Sequence, residues 1–396
     1  MKCDHTIMHN KKAILVLGVH RSGTSAFTRV LGLCGAKLPT ILLDAIPGDN
    51  DKGFWEPSRI NNIHEELLRS LESSWDDISD FPQAWFTTHE AENYKNRLIL
   101  ELKEDFSDTN LFIIKEPRMC RLVPLWSDVL SEFGAEPLVL IPVRNPLEVA
   151  ASLKARDGFQ QEKSLLLWLQ NFLAAERDSR LMKRTFISYG QLMDDWKSVV
   201  NKISSDLGIN WPEHSQENIL KINEFLTPNL RHHSFHTKDV ETSTKIVTWV
   251  KQAYQWALAA TQNAGIDSSL LNEIAEKFED ANSAYFPIID QLQKENKQLK
   301  HELAAVLPKL KDCDNQLSWL KQALPAREQE LASIKQVLLE KEKELASIKQ
   351  VLLEKEKELD SIKFVLSERE KELDSIKFVL TEREKELDSI KRSLSQ

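Results

Sequence analysis

The sequence predicts an α/β head, a P-loop-type three-layer domain around a central parallel sheet, followed by a long helical coiled-coil tail. Three features carry this. Short β-rich runs alternate with amphipathic helical stretches up to about residue 285. Near the start, an apolar run leads into a turn whose two glycines keep the spacing of a phosphate loop. From Glu330 onward the chain repeats every 14 residues, with a leucine at every seventh position.

The head comes first. The run KKAILVLG reads as its first strand, and EPLVLIPV as a second, buried one. A chain of 396 residues with 41% hydrophobic and 29% charged residues can build a sizeable core. Its formal charge of -9 argues against a protein that coats nucleic acid, so any anion site must be local. Cys3, Cys34, Cys120 and Cys313 lie far apart and form no C-x-x-C pair, which suggests neither a disulfide framework nor a metal site. The longest apolar runs, Ala13 to Val19 and Leu138 to Val143, are far shorter than the roughly 20 residues that span a bilayer. The start, MKCDHTIMHNKK, has no apolar signal region, and the expected location is the cytoplasm.

The divisions expected are a flexible segment 1–11, the catalytic head 12–285, a helical linker 286–329 with breaks at Pro308 and Pro325, and a coiled coil 330–396. In the last, Leu331, Leu338, Leu345, Leu352, Leu359, Leu366, Leu373, Leu380 and Leu387 form one seam row. Ile334, Ile348, Ile362, Ile376 and Ile390 follow alternate leucines by three places, as a and d positions of a left-handed coiled coil would. The remaining d positions are Lys341, Lys355, Arg369 and Arg383, whose charges weaken the seam or set its register. The number of strands stays open; a homo-oligomer or a partner protein is expected, against the alternative of a lone solvated helix.

In GVHRSGTSAFTRVLGLCG, Gly18 and Gly23 stand five apart, and Thr24 occupies the place where a Walker loop demands lysine. Backbone N–H groups of such a loop, with the positive end of the following helix, cradle a phosphate. Losing the γ-phosphate lysine while keeping the cradle fits a nucleotide whose reactive group is not a γ-phosphate, with Arg21 as the cation. A second anion site is expected where the strand EPLVLIPV ends in Arg144, with Ser152 eight residues later and two turns into the next helix.

The run HRSGTS, covering Arg21, Ser22, Gly23, Thr24 and Ser25, resembles the 5′-phosphosulfate loop of sulfotransferases that use 3′-phosphoadenosine 5′-phosphosulfate (PAPS). Arg144 and Ser152 resemble their 3′-phosphate pair, at the same separation. FISYGQLMDDW is similar to the segment that places a tyrosine, here Tyr189, near the adenine. GFWEP, IIKEPRMCRLVPLW and LLLWLQNFLAAERDSR are similar to bacterial members, and the likeness covers about residues 12 to 235.

The resemblance implies sulfonate transfer from PAPS to a hydroxyl acceptor, with a carbohydrate or glycan precursor the expected class and no metal required. It also has a gap. The better-known cytosolic members have lysine where Arg21 sits and a histidine base that cannot be carried over, whereas other branches use a glutamate after the first helix. That directs attention to Glu56 in GFWEPSRI as the base, with Arg21 and the loop amides holding the leaving group. His64, two helical turns on, is the rival base. Lys115, Glu116 and Arg118 close the strand LFIIKEPR, to orient a ligand or to pair with one another. RHHSFH, from Arg231 to His236, reads as a substrate or 3′-phosphate loop or as a solvated one; its spacing lacks a zinc geometry. Two other readings stay open, a P-loop kinase of a small metabolite and a coiled-coil scaffold with an inactive head.

Overall fold

A computed structural model describes residues 11–45, 52–79, 81–213, 215–227, 235–262, 267–322 and 328–394. The strands are β1 (Lys11–Val16), β2 (Leu111–Lys115), β3 (Ala135–Val143) and β4 (Lys183–Ser188). Before β2 come α1 (Thr24–Leu33), α2 (Ser58–Ser70) and α3 (His89–Phe106), and between β2 and β3 lies α4 (Val123–Phe133). Next are α5 (Pro146–Asp157) and α6 (Gln161–Asp178), then, past β4, α7 (Tyr189–Asp194), α8 (Trp196–Leu207), α9 (Gln216–Phe225), α10 (Thr237–Thr242) and α11 (Thr248–Gln262). Two long helices close the chain, α12 (Ser269–Gln322) and α13 (Glu328–Leu394). The chain divides into two compact units, Met1–Ala284 and Tyr285–Gln396.

In the first unit the four strands form one parallel sheet in the order β2-β1-β3-β4. Alternate residues of each strand enter different cores, as the period of two demands. Ala13, Leu15, Phe112, Ile114, Val139 and Ile141 pack with α2, α3, α4 and α6 on one face. Ile14, Val16, Ile113, Leu138, Leu140 and Ile187 pack with α1, α8 and α9 on the other. Because both faces are covered, every residue of β2 and the last four of β1 are buried. These are the three layers the sequence predicts. On the first face Phe112 stacks on Phe106, with ring centroids 4.3 Å apart, and meets Phe133 edge-on.

Local signals set the helix that follows β3. Asn145 accepts a hydrogen bond from the Leu147 N–H at 2.9 Å, Pro146 opens the first turn, and Gly158 closes the helix in the left-handed region. That cap fixes where α5 begins, and hence where Arg144 leaves the strand.

In the second unit α13 runs unbroken across the repeats. The helix before it also runs through Pro308, where the sequence suggests a break. Proline there forfeits one intrahelical hydrogen bond, and both Pro308 and Ala304, whose carbonyl loses its donor, are exposed to water. Pro325 lies outside the described residues. Lys341 is within electrostatic reach of Cys313, and Lys355 of Glu295. Advancing along α13 by 14 residues (355 − 341) therefore retreats along α12 by 18 (313 − 295), and the two helices run antiparallel. Seam residues Leu338, Leu345, Leu352, Leu359 and Leu366 are half-buried, whereas Ile376, Leu380, Leu387 and Ile390 are each more than half exposed. No described helix is long and apolar enough to cross a membrane.

Truncating Phe112 to alanine removes a ring that is 0% exposed, and the expected loss is ~3–5 kcal/mol of head stability, read from urea unfolding followed by tryptophan fluorescence.

Candidate active site

The loop after β1 is held open by its backbone. Leu17 donates to the Leu140 carbonyl at 2.9 Å, which continues the sheet one residue past β1. The turn then closes from the Ser22 N–H to the Val19 carbonyl at 3.2 Å. Two residues take left-handed conformations, Arg21 with φ 70° and Gly23 with φ 84°. At Gly23 no side chain fits at all, since a Cβ would come within 2.3 Å of the Tyr189 ring. Gly23 caps α1 without any side-chain hydrogen bond to the helix, and the first turn contains no acidic residue. The leading amides of α1 therefore point at the loop as donors for an anion.

Arg144, at the end of β3, reaches the same place. Its Nη1 donates to the Arg21 carbonyl at 2.8 Å, its Nε to Glu148 Oε2 at 2.9 Å, and its guanidinium lies 4.6 Å over the Tyr189 ring. Arg21 Nε in turn donates to Ser152 Oγ at 2.7 Å. Loop, strand-end arginine, helical serine and tyrosine thus form one contiguous patch. The Arg21 side chain thus links the glycine loop to α5 through Ser152. A donor set of amides, hydroxyls and guanidinium groups beside an aromatic ring fits an adenine nucleotide with anions on both the 3′ and the 5′ positions of its ribose.

Glu148 escaped the sequence reading. Its only signal was its place four residues after Arg144, the spacing of a helical ion pair. It is buried, and its Oε1 accepts from the Phe235 N–H at 3.3 Å. Asn145 Nδ2 donates to the Phe235 and His236 carbonyls at 3.3 and 3.4 Å. The end of the RHHSFH run is therefore tied to the start of α5, while Arg231 and its two neighbouring histidines lie outside the described residues.

Glu56 and Lys115 form the other half of the site. Glu56, 3% exposed, sits before α2, whose N-cap is Pro57. Lys115, the last residue of β2, donates to Glu56 Oε1 at 2.5 Å, to the Phe54 carbonyl at 3.0 Å and to Ser25 Oγ at 3.2 Å. Burial pushes the Glu56 carboxyl above its usual range, and the nearby ammonium offsets this only in part.

Next to this pair, His64 is held on both sides of its ring. That imidazole is wholly buried; it accepts from the Trp126 indole at 3.1 Å through Nε2, so Nδ1 carries the proton and donates to Glu116 Oε2 at 2.5 Å. Both ring nitrogens of His64 are thus engaged by buried partners. Arg118 binds Glu116 and Glu65. Burial alone would raise the Glu116 carboxyl, but Arg118 and His64 outweigh it and hold it at about 2. Arg118 is 8% exposed; its Glu116 partner is fully buried, and its Glu65 partner is partly open to water.

His20 is a further residue that the sequence reading quoted without a role. Its ring meets Trp75 edge-on at 4.5 Å, and its Nε2 is buried with no hydrogen-bond partner among the described residues. Burial, then Arg118 and Arg156, hold its pKa well below the ordinary histidine value, which keeps it neutral. Among the described residues no group of three His, Cys, Asp or Glu side chains is placed to hold a metal ion.

No protein-family model matches the sequence, and no curated protein matches it. Among solved structures, the chain is similar to the sulfotransferase domain from the Synechococcus PCC 7002 olefin synthase, with 18% identity over 67% of this chain and 98% of that one, at a TM-score of 0.38. It is also similar to the sulfotransferase domain from the curacin biosynthetic pathway, with 13% identity over 67% of this chain and 97% of that one, at a TM-score of 0.33.

Replacing Glu116 by glutamine leaves Arg118 with one buried partner fewer, and should cost ~3–5 kcal/mol at neutral pH. Because the folded carboxyl sits at about 2, below its ordinary value, the contribution is complete above the unfolded range and fades as pH falls toward about 2. The stability gap between wild type and Glu116→Gln should therefore stay constant from about pH 7 to pH 5 and narrow below that, as read from urea unfolding at each pH.

Proposed function

We propose that the head is a sulfotransferase that takes sulfonate from PAPS and gives it to a hydroxyl, of carbohydrate class. The observation that carries this reading is the meeting of Arg144 with the loop: its Nη1 lies 2.8 Å from the Arg21 carbonyl while its guanidinium covers Tyr189. A single nucleotide with two anionic groups on its ribose and a flat base beside them matches that patch. The α1 amides with Ser22, Thr24 and Ser25 would hold its 5′ end. Arg144 and Ser152, joined by Arg21, would hold its 3′-phosphate, and Tyr189 would lie against the base.

In this reading the acceptor oxygen attacks sulfur in line with the departing phosphate oxygen, and the protein supplies positioning, cations and a base. Glu56 takes the proton. Its buried, raised carboxyl suits that task better than a solvated one near its ordinary value. Glu116 is unsuited to the magnesium carboxylate that a kinase would want, because Arg118 and His64 already occupy it. Cys34, Cys120 and Cys313 are free thiols, which supports work in a reducing compartment, and the cytoplasm is the one we propose. The tail, on this reading, joins catalytic heads of separate copies through the exposed seam from Ile376 to Ile390.

Adenosine 3′,5′-bisphosphate should bind the full chain, and ATP, lacking the 3′-phosphate, should bind ~10–100-fold more weakly, as measured by calorimetry. Arg144→Ala should erase most of that preference; equal binding of the two nucleotides by wild type would overturn the reading. Glu56→Gln should lower transfer of labelled sulfonate by about 10²–10⁴-fold while bisphosphate binding persists. Removing residues after 371 should reduce the mass seen by light scattering to that of one chain. A full chain that is already monomeric would sink the oligomer.

A further inference from the structure

Lys115 touches both halves of the site. Its three protons go to Glu56 Oε1 at 2.5 Å, the Phe54 carbonyl at 3.0 Å and Ser25 Oγ at 3.2 Å, and its side chain is 3% exposed. Ser25 is the second residue of α1, in the turn that would seat the donor, and its own hydroxyl donates to the Phe54 carbonyl at 3.1 Å. Phe54 and Glu56 belong to the segment that leads into α2. A single ammonium therefore ties the phosphate loop to the segment that holds the base.

The two claims on this cation compete. An anion in the loop offers oxygens beside Ser25, within the reach of a flexible side chain that already bonds that hydroxyl. Glu56 offers one carboxylate oxygen in a buried place, where a charge without its partner is costly. We propose that Lys115 is shared between donor and base: a phosphosulfate seated in the loop draws the ammonium off Glu56, and the carboxylate is thereby left to take the acceptor's proton. This rests on the sulfotransferase reading and adds an order to it, donor before proton transfer.

The step balances. The acceptor O–H gives its proton to Glu56 as the new O–S bond forms. The S–O bond to the bisphosphate breaks, and its electron pair leaves on the phosphate oxygen. Lys115, now on the loop side, faces that developing charge, the place that the missing loop lysine would otherwise serve. Glu56 then passes its proton to water, and when the bisphosphate departs the ammonium returns to the regenerated carboxylate.

A double-mutant cycle on adenosine 3′,5′-bisphosphate binding, by calorimetry on the full chain, tests the sharing. Glu56→Gln releases Lys115 from its carboxylate and should tighten binding ~5–10-fold, whereas Lys115→Met should weaken it ~10–50-fold. In the Lys115→Met background the Glu56→Gln change should alter affinity by less than about 2-fold. An equal gain in both backgrounds would mean that Glu56 merely repels the ligand, and no gain in either would mean that the pair is static; each result overturns the proposal. Lys115→Arg, which keeps the charge, should recover most of the lost affinity. Thermal melts confirm that each variant is folded, and Lys115→Gln replaces Lys115→Met if the latter is not. If wild type does not bind the bisphosphate, the sulfotransferase reading falls and takes this proposal with it; if it binds but the cycle is additive, only the sharing falls.

Discussion

Parallel pairing of the four strands is the constraint on which the site depends. It brings all four carboxyl ends to one edge of the sheet, and each end delivers a different part. β1 opens into the glycine loop, β2 ends in Lys115, β3 runs into Arg144, and β4 is followed by Tyr189. The register makes the neighbours specific: Val16 pairs with Lys115, and Val143 with Ser188. With β2 on one side of β1 and β3 on the other, the chain order reverses around the glycine loop, the place where open α/β sheets leave a crevice for ligands. An antiparallel sheet of the same strands would send two of these four residues to the opposite edge.

The chain has a net charge of -9, yet this edge gathers cations. It does so by giving each one a buried carboxylate: Glu148 to Arg144, Glu56 to Lys115, Glu116 to Arg118. Such pairs add little net stability, because removing both charges from water costs about as much as their attraction returns. Their effect lies in orientation. A guanidinium held by its own helix partner at i+4 is already aimed when an anion arrives, and side-chain entropy need not be lost again on binding.

The two units differ in what limits them. In the head the limit is coverage of both faces of a sheet, and two separate cores supply it. In the tail it is the alternation of Ile with Lys or Arg along one seam row. Antiparallel α12 brings counter-charges such as Glu295 within electrostatic reach of part of α13. The near-identical later repeats keep the apolar residues, yet Ile376 and Leu380 are exposed where Leu352 and Leu359 are half-buried.

Much of this protein was legible in one dimension. Strand runs, the glycine turn at 18–23 and the heptads from residue 330 are local patterns, and local patterns follow from sterics and periodicity that neighbouring residues fix by themselves. Arg144 and Ser152 were legible too, because a strand end and the helix after it are adjacent in sequence. Tertiary structure alone decided the partnerships. His64 read as a rival base or as a packing residue, and nothing near it in sequence marked Trp126 and Glu116, 62 and 52 residues away, as the partners of its two nitrogens. Lys115 looked like one of several strand-end charges until Glu56 and Ser25, 59 and 90 residues away, met on it. Arg21 turned toward Ser152 across 131 residues. Such contacts are set by strand order and helix packing, and a sequence carries no marker for which distant side chain will satisfy a buried charge or hydrogen bond.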